Sequence, residues 1–264
     1  MANTNVVALR GYFNNETCMN NLRAMLGQKA QGFATSVLSV VNNNKLLQNA
    51  DPASVYSSAM VAASLDLPIN PNLGFAAIVP YGRQAQFQIM TRGLVQLAIR
   101  SGQYAKICNA IVHKGELVKY DPFRDEYEFD ASKRESDEVI GYMAYFKTIG
   151  GFEKFYYMSK DAALAHGKRY SKSFSSGVWA SDPDAMCLKT VLKMLLSKFG
   201  ILSIEMQRAI RFDQGVVKND FTKIDNVEEI DAAEVEYIDN PSTSTIDEDK
   251  AKEVGEKFKN FKTE

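Results

Sequence analysis

Apolar and polar positions along this 264-residue chain change period several times, and each change marks the border of an expected element. In residues 17–25 and 32–42 the apolar positions recur every three to four residues, which predicts two short helices. Asp51 is placed to cap a third helix, with Pro52 at the first helical position, where its missing N–H costs nothing. That helix extends to about residue 65 and carries Ala and Ser on several faces, a composition suited to close packing. Pro68 and Pro71 then break the run.

From residue 75 the period falls to two. Residues 75–79 form an apolar strand, and in AQFQIM (85–90) Gln86 and Gln88 alternate with Phe87 and Ile89. Between them, PYGRQ with Gly82 supplies a turn, so the segment predicts a β-hairpin. Thr91 is read as the cap of a helix over 92–101, ended by Gly102. Residues 104–117, 126–130, 139–148 and 152–158 read as strands, the last two joined through Gly150 and Gly151. Residues 159–166 read as helix. Asp182 and Pro183 open a strongly periodic helix to about residue 199, with Leu188, Val191, Leu192, Leu195 and Phe199 on its apolar side. The fold class expected is α+β, with a small antiparallel sheet and hairpins packed against several helices. Past residue 215 large apolar side chains thin out and acids accumulate, so the acidic C-terminal tail is expected to be largely disordered. Within it, NPSTST (240–245) resembles a linker. Ala251, Val254, Phe258 and Phe261 fall on one stripe that either folds on a partner or frays.

Composition narrows the classes. An apolar fraction of 45% suffices for a real core. No run approaches 18 apolar residues, and the N-terminus lacks a basic start followed by an apolar stretch, so neither a membrane span nor a secretion signal is expected. Three well-separated cysteines, Cys18, Cys108 and Cys187, fit reduced thiols in a cytoplasmic protein. The net charge of −1 conceals an asymmetry. Residues 213–264 hold 7 Lys against 15 Asp and Glu, leaving a basic body on an acidic tail.

The basic residues are not scattered. Between Asp66 and Glu116 there is no carboxylate, yet Arg83, Arg92, Arg100 and Lys106 lie there among amides and aromatics. Such a strip suits a polyanion, because each cation near a phosphate releases a condensed counterion. A second cluster, KRYSKSF, contributes Lys168, Arg169, Tyr170 and Lys172, and Trp179 follows in a Ser/Gly-rich loop. Aromatics among cations can stack bases; Trp179 either does so or anchors its loop to the core. Lys189 and Lys193 stand four apart on the periodic helix and repel by a few tenths of a kcal/mol unless an anion lies near. Other chemistry lacks its residues: no GxxxxGK[ST], no GxGxxG, no HExxH and no CxxC. Asp121, Asp125, Glu126, Glu128 and Asp130 could hold Mg²⁺ for phosphodiester cleavage. Their alternation with Tyr127 and Phe129 is equally that of the wet face of an edge strand.

In order and spacing, SLDLPINPNLGFAAIVPYG, then FQIMTRGLVQLAIRSGQY, then KRYSKSF with Trp179 and DPDAMCLKTVLKMLLSKFG resemble the RecT family of phage single-strand annealing proteins. The resemblance covers roughly residues 32–212. It departs at Cys187, before the K-T pair. It implies that the chain binds single-stranded DNA and pairs complementary strands without ATP, as a ring or helical filament, beside a 5′→3′ exonuclease. It carries DNA contact to Arg92 (before Gly93), to Lys189 and Lys193, to Lys168, Arg169, Tyr170 and Lys172, and to the hairpin tip at Gly82 and Arg83. With Gln88, Arg100, Lys106 and Trp179 these complete the candidate DNA-binding set. No catalytic residue is expected, and no cofactor beyond Mg²⁺ screening DNA charge. The runner-up is a single-stranded DNA-binding protein that does not anneal. The expected division is 1–30, helical and self-associating; 31–214, DNA binding and annealing in a basic groove; and 215–264, a flexible acidic tail for partners such as a host single-strand binding protein. The N-terminal helices and the hairpin are expected to make subunit contacts, having more apolar residues than a monomer needs. A cut after about residue 215 is expected to leave annealing intact. The setting implied is the bacterial cytoplasm.

Overall fold

A computed structural model describes residues 4–224 and 226–237. Its first part is helical. Helices α1 (Thr4–Asn14), α2 (Glu16–Leu26), α3 (Ala30–Asn42) and the short α4 (Lys45–Gln48) precede α5 (Pro52–Ser64). The Ser54 amide donates to the Asp51 carboxylate at 3.1 Å, which is the expected cap. Every residue of α5 from Ser54 to Ala63 is buried, and the small side chains let neighbours approach from all sides. The Tyr56 hydroxyl, fully enclosed, donates to the Cys18 carbonyl at 3.1 Å.

The hairpin of β1 (Ala76–Tyr81) and β2 (Gln84–Ile89) is antiparallel and packs on α5, where the Ala85 amide donates to Ser54 Oγ at 2.9 Å. Gly82 takes φ +58° at the turn, a conformation that costs glycine nothing. Helix α6 (Thr91–Arg100) follows directly. Here the expected cap is corrected: Met90 is the N-cap, and Thr91 is already helical with no side-chain cap bond. Gly93 fixes how closely α6 approaches the chain before the hairpin, since a Cβ there would lie 2.1 Å from the Phe75 carbonyl oxygen. Backbone cannot yield as a side-chain end can, so Gly93→Ala should cost about 1–3 kcal/mol or more, read as a lower denaturation midpoint.

The second part is a three-stranded antiparallel sheet, ordered β3 (Tyr104–His113), β6 and β7. The single strand expected over 104–117 is divided. His113 donates its amide to the Glu116 carboxylate at 2.7 Å, Gly115 turns at φ +91°, and β4 (Leu117–Asp121) starts a separate hairpin with β5 (Glu126–Phe129). Strands β6 (Val139–Thr148) and β7 (Glu153–Ser159) join through the expected glycine turn. The β4–β5 hairpin lies over one sheet face through aromatic contacts: Tyr120 to Tyr157 at 5.1 Å and Tyr127 to Phe155 at 5.4 Å. Against the other face pack α7 (Lys160–Tyr170) and α9 (Pro183–Phe199), with the short α8 (Gly177–Ser181) lying on α9. The Tyr142 hydroxyl donates to Asp184 at 2.6 Å across that seam.

After α9 comes α10 (Ile204–Phe212), unexpected from the sequence, and then a segment that overturns the expectation of disorder from residue 215. Strands β8 (Val216–Val217) and β9 (Val235–Glu236) pair, with α11 (Glu229–Ala232) between them. Val216, Phe221, Ile224, Ile230 and Ala233 are buried. The Phe221 amide donates to Ser57 Oγ of α5 at 3.2 Å, and Asn21 of α2 donates to the Ile224 carbonyl at 2.9 Å. The linker at 240–245 and the stripe at 251–261 lie outside the described residues. Leu9, Phe13, Met19, Leu22 and Leu26 are buried in the chain's own core. Among the described residues, no helix is long and apolar enough to cross a membrane.

Candidate nucleic-acid interface

Helix α9 is set by its start. Asp182 caps it by accepting the Ala185 amide at 3.1 Å, and Val191, Leu192, Leu195 and Leu196 turn into the core. That rotation fixes Lys189 and Lys193 one turn apart on a side that is enclosed rather than open. Lys189 is only 5% exposed, and its Nζ has no hydrogen-bond partner among the described residues. Lys193 donates to the carboxylate of Asp213, the residue that ends α10. The other oxygen of that carboxylate accepts the Ile89 amide of β2 at 3.0 Å.

Two ammonium groups thus share one buried carboxylate, leaving an excess of one positive charge. Burial alone would raise the Asp213 carboxyl. Lys193 and Lys189, with the hydrogen bonds from Lys193 and Ile89, outweigh it and hold the group below the ordinary carboxylate value. Burial pulls the Lys189 ammonium below the usual lysine value; Asp213 works against that fall and Lys193 adds to it. The expected repulsion between the two lysines is therefore partly answered from within. Asp213 is a participant that local sequence did not reveal.

Beside this trio opens a cavity of about 360 Å³. Its walls include His166, Tyr170 and Ser171 from the end of α7, Trp179 from α8, Met186 and Met194 from α9, and Gln214 and Tyr237. Trp179 is 8% exposed, lies 5.3 Å from the Phe174 ring, and sits so close over Gly167 that a Cβ there would be 2.4 Å from the indole. It anchors its loop and lines the cavity at once. Burial lowers the His166 pKa, with the charges of Lys193, Lys198 and Arg169 adding to the effect.

Exposed cations flank these lining residues along the chain. Lys168 and Arg169 occupy the last turn of α7, with Arg169 5.2 Å over the Tyr170 ring. Lys172 lies 5.7 Å from the ring of Tyr81, which brings the second basic cluster to the hairpin tip at Gly82 and Arg83. The hairpin base is tied to the same place, since the Gln214 amide donates to the Phe87 carbonyl at 3.0 Å. Of the candidates, Tyr170, Trp179, Lys189 and Lys193 line the cavity, and Lys172, just past α7, comes within reach of the hairpin at Tyr81.

The remaining candidates are placed differently. Arg100 donates to the carbonyls of Leu65 at 2.7 Å and Asp66 at 2.8 Å, and sits 3.6 Å from the Asp66 carboxylate. Arg92 reaches the Leu73 carbonyl at 3.2 Å. Both staple α6 to the preceding loop. Lys106 precedes by two residues Cys108, which faces the β4–β5 hairpin on the side of the sheet away from α9. Gln88 is half-buried in β2 opposite Ala77. The carboxylates of 121–130 serve their own neighbourhood. Asp121 accepts the Phe123 and Arg124 amides, Asp125 pairs with Lys154 at 2.7 Å, and Asp130 accepts the Ser132 amide. Among the described residues no group of three or more His, Cys, Asp or Glu is placed to hold a metal ion.

The model of the RecT family matches residues 31–232. The chain belongs to the RecT family. The match runs past Phe212, where the recognisable motifs stop, and takes in Phe221 and Ile230 of the packed C-terminal segment. The chain is similar to the uncharacterized protein YqaK of Bacillus subtilis strain 168. The two are 48% identical over 229 residues, which is 86% of this chain and 78% of that protein. It is also 27% identical over 203 residues to protein RecT of Escherichia coli K12, covering 69% of this chain and 75% of that one.

Proposed function

We propose that this RecT-family chain is an ATP-independent single-strand annealing protein acting in DNA recombination as a ring or helical filament. The observation that carries the reading is Lys189, a buried lysine without a hydrogen-bond partner among the described residues, beside Lys193 in a cavity whose lining residues Gly167, Tyr170 and Ser171 are flanked along the chain by exposed Lys168, Arg169 and Lys172. A phosphate is the group that such a place lacks. Contacts of that kind hold the backbone and carry no sequence information, so base edges stay free to pair with a second strand. Pairing then supplies about 1.4 kcal/mol per stacked step, and no nucleotide hydrolysis is required. The family likeness supports the partners in this proposal: a 5′→3′ exonuclease that exposes single strands, and a host single-strand binding protein met by residues beyond 237.

The test is sequential addition of complementary oligonucleotides. Annealing faster than protein-free pairing, with a more stable complex than either strand forms alone, is expected. Equal binding to both strands with no acceleration would leave only a single-strand binder. Replacing Lys168, Arg169 and Lys172 together by Ala should lower the slope of log affinity against log salt by about 2, at roughly 0.7 per lost phosphate contact on single strands. An unchanged slope would remove these residues from the interface.

A further inference from the structure

The described chain leaves the fold at the wall of this same cavity. Tyr237, the last described residue, lines it, and its hydroxyl donates to the Arg211 carbonyl. Residues 238–249, IDNPSTSTIDED, carry Asp239, Asp247, Glu248 and Asp249, and no Lys or Arg precedes Lys250. Among the described residues that line the cavity Asp213 is the one carboxylate, and it is already engaged by Lys193 and the Ile89 amide. The excess positive charge is thus unanswered by the described part of the chain, while four carboxylates follow its exit point.

We propose that the acidic segment 239–249 of this chain docks on the Lys189–Lys193 cavity and competes there with single-stranded DNA. Reach sets no obstacle. An extended chain spans up to about 3.6 Å per residue, so Asp239 starts within about 7 Å of Tyr237. Asp247 to Asp249 follow on a tether of roughly 10–12 residues, long enough to turn back. A short tether presents its end at an effective concentration on the order of millimolar, so weak individual contacts suffice for occupancy. Lys168, Arg169, Lys172 and Lys198 add attraction for the segment, as they would for DNA. The competition rests on the reading that DNA phosphate uses this cavity; the docking itself does not.

Trp179 is the only tryptophan and lines the cavity, which gives a readout independent of DNA. The experiment compares the full chain with the full-length variant Asp239→Asn, Asp247→Asn, Glu248→Gln, Asp249→Asn. Trp179 fluorescence is quenched with neutral acrylamide, and a labelled oligonucleotide is titrated by anisotropy at low salt. Docking predicts easier quenching in the variant and tighter oligonucleotide binding, by about fivefold or more, with both differences vanishing at high salt. Equal quenching overturns the docking. This holds even if the affinity rises, since a rise alone is the effect of general charge repulsion. Different quenching with no oligonucleotide binding by either protein supports the docking and defeats the DNA reading.

Discussion

A chain ending at residue 215 is expected to lose the cooperative unfolding transition that a chain ending at 237 keeps. The difference lies in 22 residues whose side chains complete the core. Phe221 and Ile230 are fully enclosed and Ile224 is 5% exposed. Each large apolar side chain of this kind contributes about 1.5–3 kcal/mol on burial. Three of them approach the whole stability of an ordinary domain, roughly 5–15 kcal/mol. Their removal would also uncover the Ser57 and Asn21 side chains, which bond the Phe221 amide and the Ile224 carbonyl. Thermal melting by circular dichroism should show either no transition or one lowered by more than about 10 °C, at about 2–4 °C per kcal/mol for a chain of this size. Equal melting of the two truncations would count against the packing described. This replaces the expectation that a cut after residue 215 spares annealing.

Asp213→Asn is expected to cost about 3–5 kcal/mol, the usual penalty for breaking a buried ion pair from one side. The amide keeps an oxygen for the Ile89 amide, so the loss comes from leaving the Lys189 and Lys193 ammonium groups without their shared counter-charge. The pH dependence follows from the lowered Asp213 pKa. A carboxyl depressed in the folded state contributes fully above its unfolded value, near about 3.9, and loses that contribution as pH falls through the lower folded value. Urea midpoints of the parent and the variant should therefore differ at about pH 7 and begin to converge as the pH falls below about 4. Adding Lys193→Met to the variant should restore part of the loss, because it removes one of the stranded charges. A gap that stays the same at pH 3 would show that Asp213 acts through shape and not charge.

Much of the fold is legible in the residues because it is set locally. Asp51 and Pro52 start α5, Gly82 turns the hairpin, Gly102 ends α6 at φ +67°, and the apolar spacing of α9 gives its length and rotation. Other features rest on partners far away in sequence. Asp213 answers to Lys193 twenty residues back and to Ile89 over a hundred residues back. No local pattern marks such a carboxylate. Residues 216–237 read as a tail because their apolar residues are sparse, yet Phe221 and Ile224 meet partners on α5 and α2, and Asp231 and Ala233 meet partners on α10. The acid-free strip misled for a related reason. Asp66 lies just outside it in sequence, and Arg100 folds back to reach it. A stretch without acids along the chain is not a surface without acids in space. Of the KRYSKSF cluster, Tyr170 and Ser171 line the cavity and Lys172 lies 5.7 Å from the ring of Tyr81 in the hairpin.

The Asp213 carboxylate faces two ways, with one oxygen on Lys193 and the other on the backbone of β2. The anion affinity of the cavity and the seating of the hairpin cannot then be varied separately. An alanine scan at Lys193 reports both at once, and a loss of DNA binding there includes whatever looseness β2 acquires. Exposed Lys168, Arg169 and Lys172 form no ion pair among the described residues, so affinity can be tuned there, by selection or by design, with less disturbance of the scaffold than at Lys193.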